Sequence, residues 1–166
     1  MKLKEIIVRV EEYDDVSQCL AEDRELIDSA RSVLQNSYSP YSLYRVGAAA
    51  RLENGLLITG TNQENVAYPS GICAERVALF YAQSNHPGIA VTSLAISACS
   101  DQFPVSDPVT PCGACRQVIA EYETLQDRNI RIIMTGETGK VYVSQGIGNL
   151  MPLMFRADKL KKKKNH

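Results

Sequence analysis

Hydrophobic and polar positions repeat with two different periods along the chain, and these periods predict both helices and strands. Between residues 23 and 38 apolar side chains recur every three or four positions, the spacing of one face of an α-helix. Asn54-Gly55 separates two apolar runs, 45–52 and 56–60, and this arrangement favours a tight β-hairpin. The pattern also predicts a strand at 4–12, helices at 73–84 and 112–125, strands at 91–99, 130–135 and 140–144, and a short helix or loop at 150–155.

The order of these elements indicates the α/β class. Helices of about a dozen residues interspersed with strands predict a sheet covered on both faces, which is a three-layer α/β/α sandwich. We expect a mixed sheet of five strands. Residues 136–139 are too few to hold a crossover helix, so the last two core strands are expected to run antiparallel.

The length of 166 residues corresponds to a single folded domain, because domains usually hold about 100 to 200 residues. We expect an N-terminal extension at 1–22, the folded domain at 23–156 and a flexible lysine-rich tail at 157–166. The extension is expected to add an edge strand or a subunit contact.

The distribution of charge excludes one class of partner. The net charge is −1, but five of the 18 basic residues lie at 159–166, which leaves 13 basic against 19 acidic residues in the rest of the chain. A nucleic acid polymer is therefore not expected to bind, because phosphate contacts need clustered Lys and Arg. No apolar run approaches the ~20 residues that span a bilayer, and the N-terminus is charged where a secretory signal would be apolar. We expect a cytoplasmic protein without membrane contact.

The five cysteines are the first candidates for chemistry. An odd number without an export signal predicts reduced thiols. Cys112 and Cys115 lie three residues apart at the start of a predicted helix, so their sulfurs can face one point, although a redox dithiol has the same spacing. Cys73 starts a second predicted helix, where the positive end of the helix dipole favours a thiolate. Three thiolates suit a zinc ion with a fourth position open to water, the arrangement of catalytic zinc.

Two residues beside Cys73 complete a candidate hydrolytic site. Glu75 would place a carboxylate next to the water and could move protons, since zinc lowers the pKa of bound water to about 7. Three thiolates on one divalent cation leave a net negative charge. We hypothesise that Arg76 donates hydrogen bonds to the sulfurs and offsets this charge.

Several motifs resemble those of one enzyme family. Cys73-Ala74-Glu75, followed by Pro-Cys-Gly-Ala-Cys-Arg-Gln at 111–117, resembles the signature of the zinc-dependent nucleoside cytidine deaminases. The resemblance to the small homotetrameric members covers about residues 25–155. Four further segments carry it: 38–49, 62–65 (Asn-Gln-Glu-Asn), 67–72 and 150–155.

This resemblance implies a fold and a reaction. The fold would be cytidine deaminase-like, with one Zn²⁺ per subunit held by Cys73, Cys112 and Cys115. Zinc-bound hydroxide would attack ring carbon 4 of cytidine or deoxycytidine and release ammonia, with Glu75 as the proton shuttle. The products would be uridine and deoxyuridine, in pyrimidine salvage.

The resemblance also implies a set of substrate contacts. Asn62 and Glu64 would hydrogen-bond the sugar hydroxyls, and a carboxylate there would repel a 5′-phosphate. The ring of Tyr44 would stack near the base. Phe155 would cap the site of a neighbouring subunit, so that each active site of the homotetramer is shared across an interface. The full substrate-binding set is Tyr44, Asn62, Gln63, Glu64, Ala74 and Phe155.

Several alternatives remain open at this point. Same-fold deaminases of polynucleotides, tRNA or nucleotides usually have His in place of Cys73. Blasticidin-type deaminases share the cysteines but lack the Asn-Gln-Glu-Asn pattern at 62–65. A modified nucleoside could also be the substrate. A zinc-binding module without catalysis would normally supply four protein ligands, and a fourth Cys or His at suitable spacing is absent from the sequence.

Overall fold

A mixed sheet of six strands forms the centre of the fold in this computed structural model, which describes residues 1–156. The predicted tail at 157–166 lies outside the described residues. The strands are β1 (Glu11–Tyr13), β2 (Tyr44–Leu52), β3 (Leu57–Thr61), β4 (Val91–Ser100), β5 (Arg131–Thr135) and β6 (Val141–Gln145). The α-helices are α1 (Ala21–Ser32), α2 (Ala74–Asn85) and α3 (Gly113–Gln126).

The strand order confirms the predicted mixed topology. The order is β1-β6-β5-β4-β2-β3, in which only β4 and β5 pair in parallel. The last two strands are antiparallel as expected, with Ile133 opposite Val143.

The sheet has six strands rather than the expected five, because β1, in the N-terminal extension that was expected to add an edge strand, pairs with β6. The expected strand at 4–12 is also too long, since the structure has only Glu11–Tyr13. Glu11 pairs with Val143 of β6, and β6 ends only two residues later, at Gln145. The chain then enters a 3₁₀ turn at Ile147–Asn149, and the residues before β1 have no strand to pair with.

The side chains alternate between the two faces of the sheet and build two cores. Ile132 and Met134 of β5 belong to the core under α2 and α3, whereas Ile133 belongs to the core under α1. This alternation follows from the two-residue period of a strand. The helices therefore cover both faces, which confirms the three-layer sandwich. Among residues 1–156, none of the helices has both the length and the apolar character needed to cross a membrane.

The first helix ends earlier than its pattern predicts. α1 stops at Ser32 and is followed by a 3₁₀ turn at Leu34–Asn36, whereas the predicted helix continued to residue 38.

In the first turn of α1, the buried carboxylate of Asp23 accepts a hydrogen bond from Arg131 of β5, with Nη2 2.7 Å from Oδ2. This ion pair ties α1 to the sheet.

Candidate metal centre and active site

Three cysteine sulfurs converge where two helices begin. Cys73 immediately precedes α2, Cys112 immediately precedes α3, and Cys115 lies in the first turn of α3. The Cys73 and Cys112 sulfurs are 3.8 Å apart and the Cys112 and Cys115 sulfurs 3.4 Å apart. All three lie within 4.8 Å of one another. Cys115 is buried and Cys112 exposed, so three soft ligands surround a point that remains open on one side, which suits catalytic zinc.

Close packing of α2 on the sheet places the first of these ligands. A Cβ atom on Gly60 of β3 would lie 2.6 Å from the Ala78 nitrogen and 2.7 Å from the Ala74 oxygen, so only glycine allows this approach. At the other end of the helix pair, the buried Tyr122 hydroxyl donates to the Leu79 carbonyl at 2.7 Å. The two helix starts are thus held in fixed relative positions.

The thiols of Cys73 and Cys115 differ in pKa. A hydrogen bond with Cys115 lowers the pKa of Cys73 to about 5, against the opposing effect of burial, and Arg76 and Cys112 assist. The same hydrogen bond raises the pKa of Cys115. Cys73 is therefore the sulfur of this pair that more readily carries a negative charge.

Arg76 faces the sulfur of Cys73. Its Nη2 lies 3.7 Å from the Cys73 sulfur, and its buried Nε has no hydrogen-bond partner among residues 1–156. A guanidinium in this place opposes the negative charge that the sulfurs bring together.

Glu75 brings a buried carboxyl to the same helix turn. It is only 4% exposed, and burial, together with the charge of Cys73, raises its pKa. A carboxyl with a raised pKa holds its proton closer to neutral pH, which suits a group that both accepts and releases protons.

A cleft of about 390 Å³ opens beside Cys73. Gln63 and Ile72 exchange two main-chain hydrogen bonds of 2.9 Å, which holds the predicted sugar-binding segment 62–65 against the residue before Cys73. The residues around this cleft include Tyr41, Ser42, Asn62, Gln63, Glu64, Asn65, Tyr68 and Cys73.

The two predicted sugar ligands also have partners within the protein. The Glu64 carboxylate accepts from the Tyr41 main-chain N–H at 2.8 Å and from the Ser42 hydroxyl. Partial burial opposes these bonds, but together they lower the pKa of Glu64. Asn62 Oδ1 accepts from the Val46 N–H at 2.8 Å, and Asn62 Nδ2 donates one hydrogen to the Tyr44 carbonyl. Its second Nδ2 hydrogen has no partner among the residues that the structure describes.

An aromatic contact at the start of β2 was not predicted from the sequence. Tyr44 stacks on Phe103, with ring centroids 6.2 Å apart and an angle of 29° between the rings. Burial raises the pKa of Tyr44. A bidentate ion pair between Arg45 and Asp101 anchors the start of the loop that carries Phe103. Phe103 lies in a proline-rich loop without a periodic pattern. The one feature of the sequence that could have pointed to it is that it is an aromatic residue shortly before Pro111.

The segment at 150–155 lies along α3 as a loop rather than a helix. Arg116 holds it, since its Nη1 donates to the Leu150 carbonyl at 2.7 Å, and Gln117 donates to the Phe155 carbonyl at 3.1 Å. The Phe155 side chain is 71% exposed and does not line the cleft beside Cys73. Ala74 is the first residue of α2 and is fully buried.

Comparison with known proteins decides the family. The profile of the cytidine and deoxycytidylate deaminase zinc-binding region matches residues 20–128, about two thirds of the chain. The chain belongs to the cytidine deaminase family. A cytidine deaminase of Halalkalibacterium halodurans is 38% identical over 133 residues, which cover 80% of this chain and 93% of the relative. The crystal structure of cytidine deaminase from Burkholderia pseudomallei matches with a TM-score of 0.68 at 34% identity, over 79% of this chain and 97% of that one. A blasticidin-S deaminase of Bacillus cereus is 29% identical over 141 residues, 81% of this chain and 92% of the relative.

Membership of the cytidine deaminase family confirms the resemblance found in the sequence. It makes the chain a hydrolytic deaminase, and zinc is the metal of the matched region. That region contains Cys73, Cys112 and Cys115, the group that can hold the ion. A zinc-binding module without catalysis is left without support.

Proposed function

We propose that the chain hydrolyses cytidine and deoxycytidine to uridine and deoxyuridine, with release of ammonia. The observation that carries the proposal is the convergence of three cysteine sulfurs at two helix starts, with the buried carboxyl of Glu75 in the same helix turn. Relatives that bear the name cytidine deaminase support the choice of substrate.

Cys73, Cys112 and Cys115 would hold the zinc ion. When bound, zinc supplies a Lewis acid that makes water a nucleophile near neutral pH. Glu75 takes a proton from the attacking water while the new oxygen–carbon bond forms at ring carbon 4. It passes this proton to ring nitrogen 3, then takes the second proton from the oxygen now bound to carbon 4 and gives it to the amino group, so that carbon 4 becomes a carbonyl, the carbon–nitrogen bond breaks and ammonia leaves. Its raised pKa fits both steps.

Arg76 would tune the metal site without touching the substrate. Its guanidinium lies beside the Cys73 sulfur and lessens the electron density that three thiolates donate to one cation. The zinc ion would then remain a stronger acid than three unassisted thiolates allow.

Residues of the cleft would select a neutral sugar. Glu64 accepts three hydrogen bonds from Tyr41 and Ser42 and keeps one lone pair, and Asn62 has one free Nδ2 hydrogen, so together they can accept from and donate to sugar hydroxyls. The ionised Glu64 would repel a 5′-phosphate. Tyr44 would offer a ring face to the base, Ala74 would contribute its main-chain N–H, and Gln63 would line the cleft.

We further propose that the chain forms a homotetramer in which each site is shared between subunits. Leu153 and Phe155 are 80% and 71% exposed, and the hydrogen bonds from Arg116 and Gln117 fix the main chain that carries them. Phe155 would then cap the site of a neighbouring subunit. The mass of the zinc-loaded protein in light scattering tests the assembly. Location in the cytoplasm stays a prediction.

An absorbance assay on zinc-loaded protein tests the reaction. Cytidine and deoxycytidine should be converted, whereas cytidine monophosphate should be converted poorly. Glu75→Gln should lower kcat by about 10²–10⁴-fold while zinc content stays the same. Glu22→Gln, which changes an exposed carboxylate in the first turn of α1, is the matched control and should leave kcat unchanged. If the zinc-loaded wild type converts neither nucleoside, the substrate assignment is wrong, and blasticidin S or another modified nucleoside should be assayed next.

A further inference from the structure

The first residues of the chain form an exposed extended segment, here named the arm (residues 2–10). The family profile begins only at residue 20, after the arm. It has no regular secondary structure and leads directly into β1. Its large apolar side chains lie in solvent: Leu3, Ile6, Ile7, Val8 and Val10. An exposed run of β-branched residues beside a sheet edge is a surface that pairs readily with another strand.

One hydrogen bond shows which side of the arm is free. The Arg9 main-chain N–H donates to Asn149 Oδ1 at 3.0 Å, so it points toward the body of the protein. Successive residues of an extended chain turn their N–H and C=O groups to opposite sides. If the arm continues the extended course of β1, the groups of the even-numbered residues 4, 6, 8 and 10 point away from the body and offer an open hydrogen-bonding edge.

We propose that this edge pairs with the arm of a second copy of the chain, antiparallel and about a two-fold axis at Ile7. In an antiparallel pair, residues that exchange hydrogen bonds lie directly opposite each other. An even-numbered residue must therefore face another even-numbered residue, and the numbers of any two opposite residues must add to an even sum.

Charge selects one register among these. When opposite residues add to 14, Ile7 faces itself, Ile6 faces Val8, Glu5 faces Arg9 and Lys2 faces Glu12, whereas Lys4 and Glu11 face the apolar Val10 and Leu3. Glu12 already contacts Lys140, the residue before β6, and would receive Lys2 as a second cation.

Neighbouring registers are less favourable because they bring like charges together or form no pair of opposite charges. A sum of 16 pairs Lys4 with Glu12 and Lys2 with Asp14 but sets Glu5 against Glu11, and sums of 10 and 18 set Glu5 or Arg9 against itself. A sum of 12 sets Lys4 against Val8 and Glu5 against Ile7. Like charges directly opposite each other destabilise a strand pair, whereas opposite charges stabilise it. The arm is thus complementary to itself in one register, and a second copy is the partner that it fits.

A cysteine at the axis tests this register directly. Ile7 and its copy would form a pair without hydrogen bonds, with Cα atoms about 4.5 Å apart, which is within disulfide range. The two copies of Leu3 would lie eight residues apart along the ribbon, about 26 Å. Full-length zinc-loaded Ile7→Cys should therefore form an intermolecular disulfide under mild oxidation. Leu3→Cys, whose side chain is even more exposed, is the matched control and should stay at the wild-type level.

Exchanging the charges of Glu5 and Arg9 tests whether these two residues face each other across the pair of arms. In the Ile7→Cys background, Glu5→Arg and Arg9→Glu should each slow disulfide formation at least about tenfold, because each puts like charges opposite one another. The double variant should regain the original rate. Peptide mapping identifies the 7–7 link among the five native cysteines. Equal cross-linking of Leu3→Cys, or a double variant no faster than the single ones, would overturn the proposal. These measurements do not depend on the catalytic reaction.

Discussion

Glu123 joins three elements through a single oxygen. It lies near the end of α3 and is 8% exposed. Its Oε1 accepts from the Ile130 and Ile147 main-chain N–H groups, both at 2.9 Å and both buried. Glu123→Ala would leave two buried donors without a partner, at a cost of about 1–3 kcal/mol each. We therefore expect the free energy of unfolding to fall by about 2–6 kcal/mol.

Glu123→Gln is the matched variant, because it keeps an oxygen acceptor and removes the charge. Burial raises the pKa of Glu123, although the two N–H groups oppose this effect. A raised pKa means that the folded protein binds the proton more tightly than the unfolded chain does. Wild-type stability therefore falls as the pH rises from the usual value of 4.5 through the pKa of the folded state. Glutamine does not titrate, so Glu123→Gln should gain stability relative to wild type between pH 4.5 and neutrality.

Urea unfolding at several pH values, at one fixed free zinc concentration, measures both effects. The ranking expected at pH 7 places Glu123→Ala well below the other two proteins. If Glu123→Ala unfolds within about 0.5 kcal/mol of wild type, the two N–H groups do not depend on the carboxylate. If Glu123→Gln is as unstable as Glu123→Ala, the charge rather than the oxygen acceptor holds these elements together.

Three further variants test the positions of other groups. Gly60→Ala should lower both the Tm and the zinc affinity, because its Cβ would press on the α2 main chain, whereas the Gly113→Ala control meets no atom within 4 Å and should leave the Tm nearly unchanged. Arg131→Met should lower the free energy of unfolding in urea by about 3–5 kcal/mol, since it leaves the buried Asp23 carboxylate unpaired; a loss below 1 kcal/mol would show that the pair is dispensable. Arg76→Gln should weaken zinc binding about 10–100-fold in a chelator competition assay, and an unchanged affinity would remove its proposed role.

Local patterns explain why the metal-binding group could be predicted from the sequence. Cys112 and Cys115 lie at one helix start, and Cys73 lies at another. The spacing within two short segments was therefore enough to identify the candidate metal ligands. The sheet order could be anticipated in part for the same reason, since a turn of four residues forces β5 and β6 to be antiparallel. The edge strand β1 was drawn too long because its length depends on where β6 ends, which is a property of a segment more than 130 residues away.

The cleft shows where prediction from short segments stops. Glu64 was expected to bind the sugar, but in the structure it also accepts hydrogen bonds from Tyr41 and Ser42, which precede it by 23 and 22 residues. No motif could show this second task, because the contact is made only when the chain has folded. A substitution at Glu64 would therefore change the shape of the cleft as well as its ligands. Ser42→Ala is the matched control for a Glu64 variant, because it removes one internal hydrogen bond and keeps the carboxylate. A rise in KM in the Glu64 variant indicates a lost sugar contact only if Ser42→Ala raises KM less.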